Sequence, residues 1–188
     1  MIERNTKETK IKLKLEIYGT GKSKINTKIG FLNHMLEAFA KHSLMDLEVE
    51  CDGDIEVDFH HSVEDIGIVL GMALKEQIYP VQNIERYSNS VVVMDESAVS
   101  CDLDISNRAF LVYDSIKKGL IGEFDAELIE EFFRAVAFNA GITLHLIKLR
   151  GSNKHHIAEA TFKAFAVALR RALTKNEKMG IPSTKGVL

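Results

Sequence analysis

Hydrophobic residues in the first half of the chain recur first with the period of a strand and then with the period of a helix. Apolar residues alternate with charged ones from Ile11 to Ile17, which predicts a half-buried strand. Between residues 31 and 39 the apolar positions form one stripe at helical spacing. In chain order, the predicted elements are a strand at 11–17, a strand near 23–27, a helix at 31–39, a strand at 47–51, a strand at 55–59 and a helix that opens at His60 and ends before Pro80.

The second half shows a similar order of periodicities. Asp125 is expected to cap a helix that reaches about Asn139, with Gly141 as its stop. The predicted elements here are strands near 90–95, 98–105 and 109–113, that helix, a strand at 143–149 and a last helix from about 155 to 174. The tail at 180–186 has the composition of a loop.

Two related motifs open the second helix of each half. His60-His61-Ser62-Val63-Glu64-Asp65 stands at the first, and His155-His156-Ile157-Ala158-Glu159-Ala160 stands 95 residues later at the second. Because similar orders of elements surround both motifs, the chain is interpreted as an α+β protein with two similar halves from an internal duplication. We expect a single domain made of repeats at about 1–87 and 88–178, followed by a tail at 179–188.

Composition narrows the class of protein. The 188 residues carry 24 Lys plus Arg against 27 Asp plus Glu, for a net charge of −3, and 46% are hydrophobic. This is the balance of a globular chain with a sizeable core, and it lacks the basic excess of a nucleic-acid binder. Cys51 and Cys101 are far apart, without a CxxC spacing, and no signal-peptide or membrane-span pattern is present. We therefore expect a cytoplasmic protein with reduced thiols, no nucleic-acid partner and no membrane association.

The paired histidines are the candidate chemistry. Residues four apart on a helix lie within about 40° of each other, so His60 and Glu64 can bind one metal ion, as can His155 and Glu159. The second histidine of each pair points about 100° away and is free to serve another ion. Imidazole with carboxylate and no thiolate suits Mn, Fe, Co or Zn, and this composition does not choose among them.

The predicted ligands lie away from the apolar stripe of their own helix. A distant segment or a neighbouring subunit must then complete the ligand set, and we favour a subunit interface.

Several motifs, in order and across nearly the whole chain, resemble those of the imidazoleglycerol-phosphate dehydratase family. They are Thr6-Lys7-Glu8-Thr9, Gly30-Phe31-Leu32-Asn33-His34-Met35-Leu36, the two paired-histidine motifs, Gly141-Ile142-Thr143-Leu144-His145 and Pro182-Ser183-Thr184-Lys185-Gly186-Val187-Leu188. The resemblance implies a manganese-dependent lyase of histidine biosynthesis that dehydrates imidazole glycerol phosphate to imidazole acetol phosphate. It also implies two ribosomal protein S5 domain 2-like halves, each a mostly antiparallel sheet with helices on one face, and a 24-subunit shell built from trimers with active sites between subunits.

The resemblance also assigns residues to roles. Two Mn²⁺ ions per active site would clamp the imidazolate, one held by His34, His61, His155 and Glu159 and the other by His60, Glu64, His145 and His156, with the partition less certain than the set. The general base would be Glu8, with Glu64 and Glu159 as the other candidate carboxylates. The residues expected to contact the substrate are Glu8, Arg86, Arg108, Lys163, Ser183, Thr184 and Lys185. His42 is either a core histidine or a further substrate contact.

Three departures from the family pattern bear on these roles, at Asn33, Phe59 and Ala38. Asn33 stands where an acid usually precedes the first ligand, so the orientation of His34 is in doubt. Two other classes of function remain open. In one, the histidines and carboxylates only join the subunits of a metal-assembled shell or metal sensor; in the other, the halves form an RNA-binding module, for which the chain lacks basic surface and stacking aromatics.

Overall fold

The computed structural model describes all 188 residues and shows two similar halves whose helices face each other. The first half contains β1 (Ile2–Asn5), β2 (Thr9–Glu16), β3 (Ser23–Asn26), α1 (Gly30–Ser43), β4 (Asp46–Gly53) and α2 (His60–Ile78). The second half contains β5 (Tyr87–Met94), β6 (Ser97–Asp104), β7 (Phe110–Asp114), β8 (Leu120–Ile121), β9 (Phe124–Asp125), α3 (Glu127–Ala140), β10 (Thr143–Arg150) and α4 (Lys154–Ala172).

The two main sheets have the same topology. The strand orders are β1-β2-β4-β3 and β5-β6-β10-β7, so in each half the last strand inserts between the second and third. Only the β3–β4 and β10–β7 pairs are parallel. The predicted fold of two mostly antiparallel βα halves is therefore confirmed, while the exact boundaries of the repeats and of the tail stay predictions.

The helices lie on one face of each sheet and meet in the middle of the molecule. Helices α1 and α2 pack on the first sheet, α3 and α4 pack on the second, and the two helical layers join through α1 against α4 and α2 against α3. The side chains of β2 alternate between buried and exposed, so its charged face turns to solvent. One continuous core of 52 buried residues spans both halves, so neither half has a separate core.

Glycine allows the closest helix contact. A Cβ placed on Gly67 of α2 would lie 2.8 Å from the Phe132 carbonyl oxygen and 2.8 Å from Cβ of Ala135 on α3. One turn later, a Cβ on Gly71 would lie 2.8 Å from the Val136 carbonyl oxygen. These distances are too short for a side chain, so the two glycines set how closely α2 approaches α3.

One predicted strand and one predicted helix cap were wrong. Residues 55–59 form turns and not a strand, because the Val57 N–H bonds the Asp54 carbonyl at 2.9 Å and Val57 is exposed to solvent. The N-cap position of α3 is occupied by Ala126 and not by Asp125, which was predicted to cap it. The Asp125 carboxylate nevertheless accepts the Glu127 N–H at 3.1 Å. Gly141 ends α3 in the left-handed conformation, as predicted.

Candidate active site and metal centre

Three predicted ligands from both halves meet where α1 packs on α4. Nε2 of His34 and Nε2 of His155 each lie 3.3 Å from Oε2 of Glu159, and the donor atoms of all three lie within 4.8 Å of one another. No other group of three histidine, cysteine or acidic side chains in the chain comes together this closely. Two imidazole nitrogens and one carboxylate oxygen at this spacing fit one divalent cation with open coordination positions.

Glu159 is buried, which corrects the expectation that every predicted ligand lies away from the core. Only 8% of its side chain is exposed, against 47% for His34 and 42% for His155. Burial raises the pKa of the Glu159 carboxyl, but the hydrogen bond and charge of Lys163, with a smaller contribution from His34, outweigh burial and hold it below its usual value. The Lys163 ammonium lies 2.6 Å from Oε1 of Glu159, one helical turn away on the same face of α4.

The first turns of α2 and α4 are ordered by short polar side chains. Oδ1 of Asn153 accepts the backbone N–H groups of His155 and His156, and Oδ1 of Asp58 accepts that of His60 at 2.7 Å. Asn153 is therefore the N-cap of α4, whereas Asp58 precedes the N-cap position of α2 and fixes the turn into that helix.

The second histidine of each pair is held by a carboxylate that the sequence did not indicate. Nδ1 of His61 lies 3.0 Å from Oδ2 of Asp54, and Nδ1 of His156 lies 2.7 Å from Oε2 of Glu96. These hydrogen bonds are the largest causes of the raised pKa of each of the two histidines. Each acid contacts a ring 7 or 60 residues away, and nothing in its own local pattern signals that contact.

The remaining predicted ligands do not converge within one chain. Nε2 of His60 lies 3.6 Å from Oε2 of Glu64, but no histidine of α3 faces this pair, because α3 contains none. His145 lies on the second sheet and lines an open concavity with Asp102 and Asp104. The second predicted set of His60, Glu64, His145 and His156 is therefore not assembled in the single chain, and His61 is likewise not part of the three-residue cluster.

Glu8 is carried by a turn that is fixed by hydrogen bonds. Oγ1 of Thr6 accepts the N–H groups of Glu8 and Thr9, while the Thr9 hydroxyl donates to the buried carboxylate of Asp65. Oε2 of Glu8 lies 3.9 Å from Nε2 of His61, and 54% of the Glu8 side chain is exposed. The turn therefore holds the solvent-accessible carboxylate of Glu8 beside Nε2 of His61, while Nδ1 of the same ring is bonded to Asp54.

Two of the predicted substrate contacts, Arg86 and Arg108, lie around one acid, Asp104. Arg86 is buried, and its Nε and Nη2 bond Asp104 at 2.7 and 3.2 Å. Nη2 of Arg108 lies 3.5 Å from Oδ2 of Asp104. Arg86 has a left-handed φ of 70°, which its backbone hydrogen bonds to Ala172 and Ile105 maintain.

The tail is anchored beside these arginines. Nη1 of Arg86 donates to the Pro182 carbonyl oxygen at 2.6 Å, and Asn83 N–H donates to the Gly180 carbonyl oxygen at 2.7 Å. Ser183 follows the anchored proline and its hydroxyl oxygen accepts the Lys185 N–H, while Thr184 and Lys185 are exposed. The tail is thus ordered by contacts that its composition did not show.

Two further predictions concern α1. His42 is half-buried, and burial first, then the charges of Lys163 and Arg170, lower its pKa. The charge of Lys163 therefore acts on the ring of His42. The Asn33 side chain accepts hydrogen bonds from the backbone and hydroxyl of Thr27 at 2.9 and 2.7 Å. Asn33 thus fixes the loop before α1, and its contacts do not include the ring of His34.

A concavity beside the three-residue cluster is large enough for a small substrate. Its volume is about 480 Å³, and the side chains of Phe31, Phe59 and Phe124 line it together with Lys28, His34 and His155. The Phe31 ring lies edge-on to His155, with centroids 5.5 Å apart. Apolar walls and ring nitrogens together suit an aromatic heterocycle.

Comparisons with known proteins identify the family of the chain. The model of the family described as imidazoleglycerol-phosphate dehydratase matches residues 27–169. Dehydratases of this name from Campylobacter hominis and Wolinella succinogenes are 69% and 64% identical to the chain, covering 98% and 100% of it and 97% and 98% of their own lengths.

Solved structures of similar proteins have the same fold. The crystal structure of the Staphylococcus aureus dehydratase has a TM-score of 0.82 and 43% identity, covering 93% of this chain and 98% of its own. The Pyrococcus furiosus enzyme has a TM-score of 0.86 and 38% identity, with 100% of both chains covered. With its paired-histidine helices, its mixed histidine and glutamate cluster and these relatives, the chain belongs to the imidazoleglycerol-phosphate dehydratase family.

Proposed function

We propose that the chain dehydrates imidazole glycerol phosphate at a site that holds two Mn²⁺ ions and is completed by neighbouring subunits. The dehydration, a lyase step of histidine biosynthesis, follows from membership of the family. The observation that carries the metal site is the cluster of His34, His155 and Glu159, whose three donor atoms lie within 4.8 Å of one another.

The donor set fits a metal that accepts imidazole and carboxylate. Both cysteines are buried as free thiols, so no thiolate competes for the ion. His34, His155 and Glu159 would hold one ion, and His60 with Glu64 would contribute to the other. When bound, the ions would stabilise the imidazole ring of the substrate as its anion.

The reaction removes the hydroxyl group from the carbon attached to the ring and the hydrogen from the next carbon of the chain. Only this pattern leaves the ketone one carbon away from the ring, as in imidazole acetol phosphate. We assign the proton to the Glu8 carboxylate, which its hydrogen-bonded turn holds in place beside His61. The carbon–oxygen bond at the ring-attached carbon breaks, and the departing oxygen takes a proton to leave as water. Loss of the hydrogen from the next carbon gives an enol, which becomes the ketone. Glu64 and Glu159 remain the alternative bases.

The phosphate is assigned to a cationic group around Asp104. Arg86 and Arg108 share this carboxylate, and Arg86 also fixes the tail that carries Ser183, Thr184 and Lys185. Arg86 has five N–H donors, of which three are used in the contacts described, so two remain for a phosphate oxygen. Lys163 is the cation closest to the metal cluster and would contact the substrate from α4.

Self-association would bring together ligands from neighbouring subunits at one site. The eight predicted ligands do not converge in one chain, and the outer face of β5 exposes Val91 and Val93 on the same sheet as His145. The proposed assembly is the 24-subunit shell built through trimers. Sedimentation velocity in Mn²⁺ and after chelation would test it, and a monomer in saturating Mn²⁺ would contradict it.

A cytoplasmic location belongs to the same proposal. Both cysteines lie in the core as free thiols, as they would in a reducing compartment. No helix is long and apolar enough to cross a membrane. Fractionation of the cells that produce the protein tests the location.

The deciding experiment is an assay for imidazole acetol phosphate formed from imidazole glycerol phosphate. The protein is stripped with a chelator and assayed with and without added Mn²⁺. Product only after Mn²⁺ is restored is the expected result. Correctly assembled protein that forms no product under either condition would favour the alternative of a metal-assembled shell without catalysis.

A further inference from the structure

Each half of the molecule holds its second histidine in the same way but with a different element. In the first half Asp54, in the loop that follows β4, bonds Nδ1 of His61 at 3.0 Å. In the second half Glu96, in the turn between β5 and β6, bonds Nδ1 of His156 at 2.7 Å. The two acids do not occupy equivalent places in the repeats, so they are not simply copied by the duplication. The same contact, a carboxylate on Nδ1, is therefore made in each half by a residue at a different place in the repeat.

A carboxylate on Nδ1 decides which ring nitrogen is available. An ionised carboxylate only accepts hydrogen bonds, so Nδ1 of a neutral imidazole beside it carries the proton. Nε2 is then left with the lone pair that a metal ion requires. In both halves Nε2 points away from the acid that holds the ring and toward an exposed carboxylate, at 3.9 Å from Glu8 and 3.7 Å from Asp95.

We propose that Asp54 and Glu96 are positioning residues that fix the tautomer and orientation of His61 and His156 for metal binding through Nε2. The inference rests on the metal site of the proposed function and extends it to two acids outside the ligand set. Removing such an outer partner usually costs about 10- to 100-fold in metal affinity.

Glu96→Gln would replace the hydrogen-bond acceptor that faces Nδ1 of His156 with a donor, without shortening the side chain. Its Oε1 already accepts the N–H groups of Ser152 and Asn153, at 3.2 and 2.8 Å, and the Ser97 hydroxyl at 2.9 Å. In Glu96→Gln these donors require the amide oxygen at the Oε1 position. The amide NH₂ must then face Nδ1 of His156, which favours the tautomer with hydrogen on Nε2.

Asp54 provides the matched contrast. No other hydrogen bond fixes either of its carboxylate oxygens, so the amide of Asp54→Asn can turn its oxygen toward Nδ1 of His61 and preserve the tautomer. Asp54→Ala removes the acceptor altogether. The tautomer argument therefore predicts a large effect for Glu96→Gln, a small one for Asp54→Asn and a large one for Asp54→Ala.

The test titrates metal-free protein with Mn²⁺ and measures the free ion by electron paramagnetic resonance. Glu50→Gln, an exposed strand residue, is the control for the same chemical change. We expect Glu96→Gln and Asp54→Ala to weaken binding about 10- to 100-fold, with Asp54→Asn and Glu50→Gln close to the unmodified protein. Equal losses in Asp54→Asn and Glu96→Gln would show that charge and not tautomer matters, and would overturn the proposal.

A second measurement needs no variant. Nitrogen-15 chemical shifts of the histidine rings in the unmodified, metal-free protein report which nitrogen carries hydrogen. Hydrogen on Nδ1 of His61 and His156 is expected, and hydrogen on Nε2 would overturn the proposal. Normal Mn²⁺ binding without product formation would instead contradict the proposed function alone.

Discussion

Nε of Arg86 lies 2.7 Å from Oδ1 of Asp104, and Nη2 lies 3.2 Å from Oδ2, so two parallel hydrogen bonds join a buried arginine to one acid. Arg108 approaches the same acid, at 3.5 Å from Oδ2. Asp104 therefore orients both cations that are proposed to bind the phosphate, and this relationship leads to the first prediction.

Asp104→Asn should weaken substrate binding more than it slows turnover. The amide keeps one acceptor but opposes an Arg86 N–H with its own NH₂, so both arginines lose their fixed orientation. We expect KM to rise about tenfold, the equivalent of losing one charged hydrogen bond, with a smaller change in kcat. Steady-state kinetics measures both constants. Asp114→Asn, an exposed strand-end change, is the control, and an unchanged KM in Asp104→Asn would contradict the proposed role.

Glu8→Gln should remove most of the activity while leaving the metal content intact. Glutamine keeps the size of the side chain and the hydrogen bonds of the turn, which use the Glu8 backbone, but cannot accept the carbon-bound proton. Loss of a general base typically costs about 10²- to 10⁴-fold in rate. Turnover and bound manganese are measured on the same sample. Full turnover with normal metal content would move the role to Glu64 or Glu159.

Gly67→Ala should destabilise the contact between α2 and α3. The added Cβ would lie 2.8 Å from the Phe132 carbonyl oxygen and from Cβ of Ala135, so the helices must separate. Overpacking of this kind costs about 1–3 kcal/mol in the free energy of unfolding. Chemical denaturation measures it, with Gly30→Ala as the control because a Cβ there meets no atom within 4 Å. Equal stability of the two variants would contradict the close approach.

Stability should depend on pH through Asp46, which is remote from the metal cluster. Its carboxylate accepts the N–H groups of Lys22 and Thr20, and these hydrogen bonds, with a smaller opposing effect of burial, lower its pKa. A lowered pKa contributes stability that is fully present above the pKa of the unfolded chain. That contribution is lost as the pH falls through the pKa of the folded protein.

The stability difference between the unmodified protein and Asp46→Ala should therefore be largest near neutral pH. It should shrink below about pH 4, the usual pKa of an aspartate, as the folded carboxylate takes up its proton. Denaturation at a series of pH values measures the difference. A difference that stays constant down to the lowest pH would contradict the role of the charged carboxylate.

Periodicity predicted most of the fold because most strands and helices present one apolar face to the shared core. It failed at residues 55–59, where Ile55, Val57 and Phe59 alternate like a strand but have no neighbouring strand to pair with. It also missed β1, a short edge strand with one apolar residue. Alternation describes which side chains are buried, whereas a strand also needs a partner that the local sequence does not specify.

The site shows the same division between local and distant information. The spacing of His155 and Glu159 on one helix turn predicted their contact, because helix geometry fixes it. The partners Glu96 and Asp104 were not predicted, since each meets its histidine or arginine only after the sheets have formed. Likewise, the burial of Glu159 depends on packing between α1 and α4, which belong to different halves.

The pairing of α1 with α4 and of α2 with α3 has a consequence for the origin of the molecule. A chain of half this length would leave both of its helices without partners, and two copies would have to exchange contacts to cover them. Such a pair would have two identical clefts. In the single chain the two clefts are free to differ, and they do: one has His34 beside His155 and Glu159, while the other faces a helix without histidine. The present enzyme has therefore kept the symmetry of its scaffold while specialising its two ends.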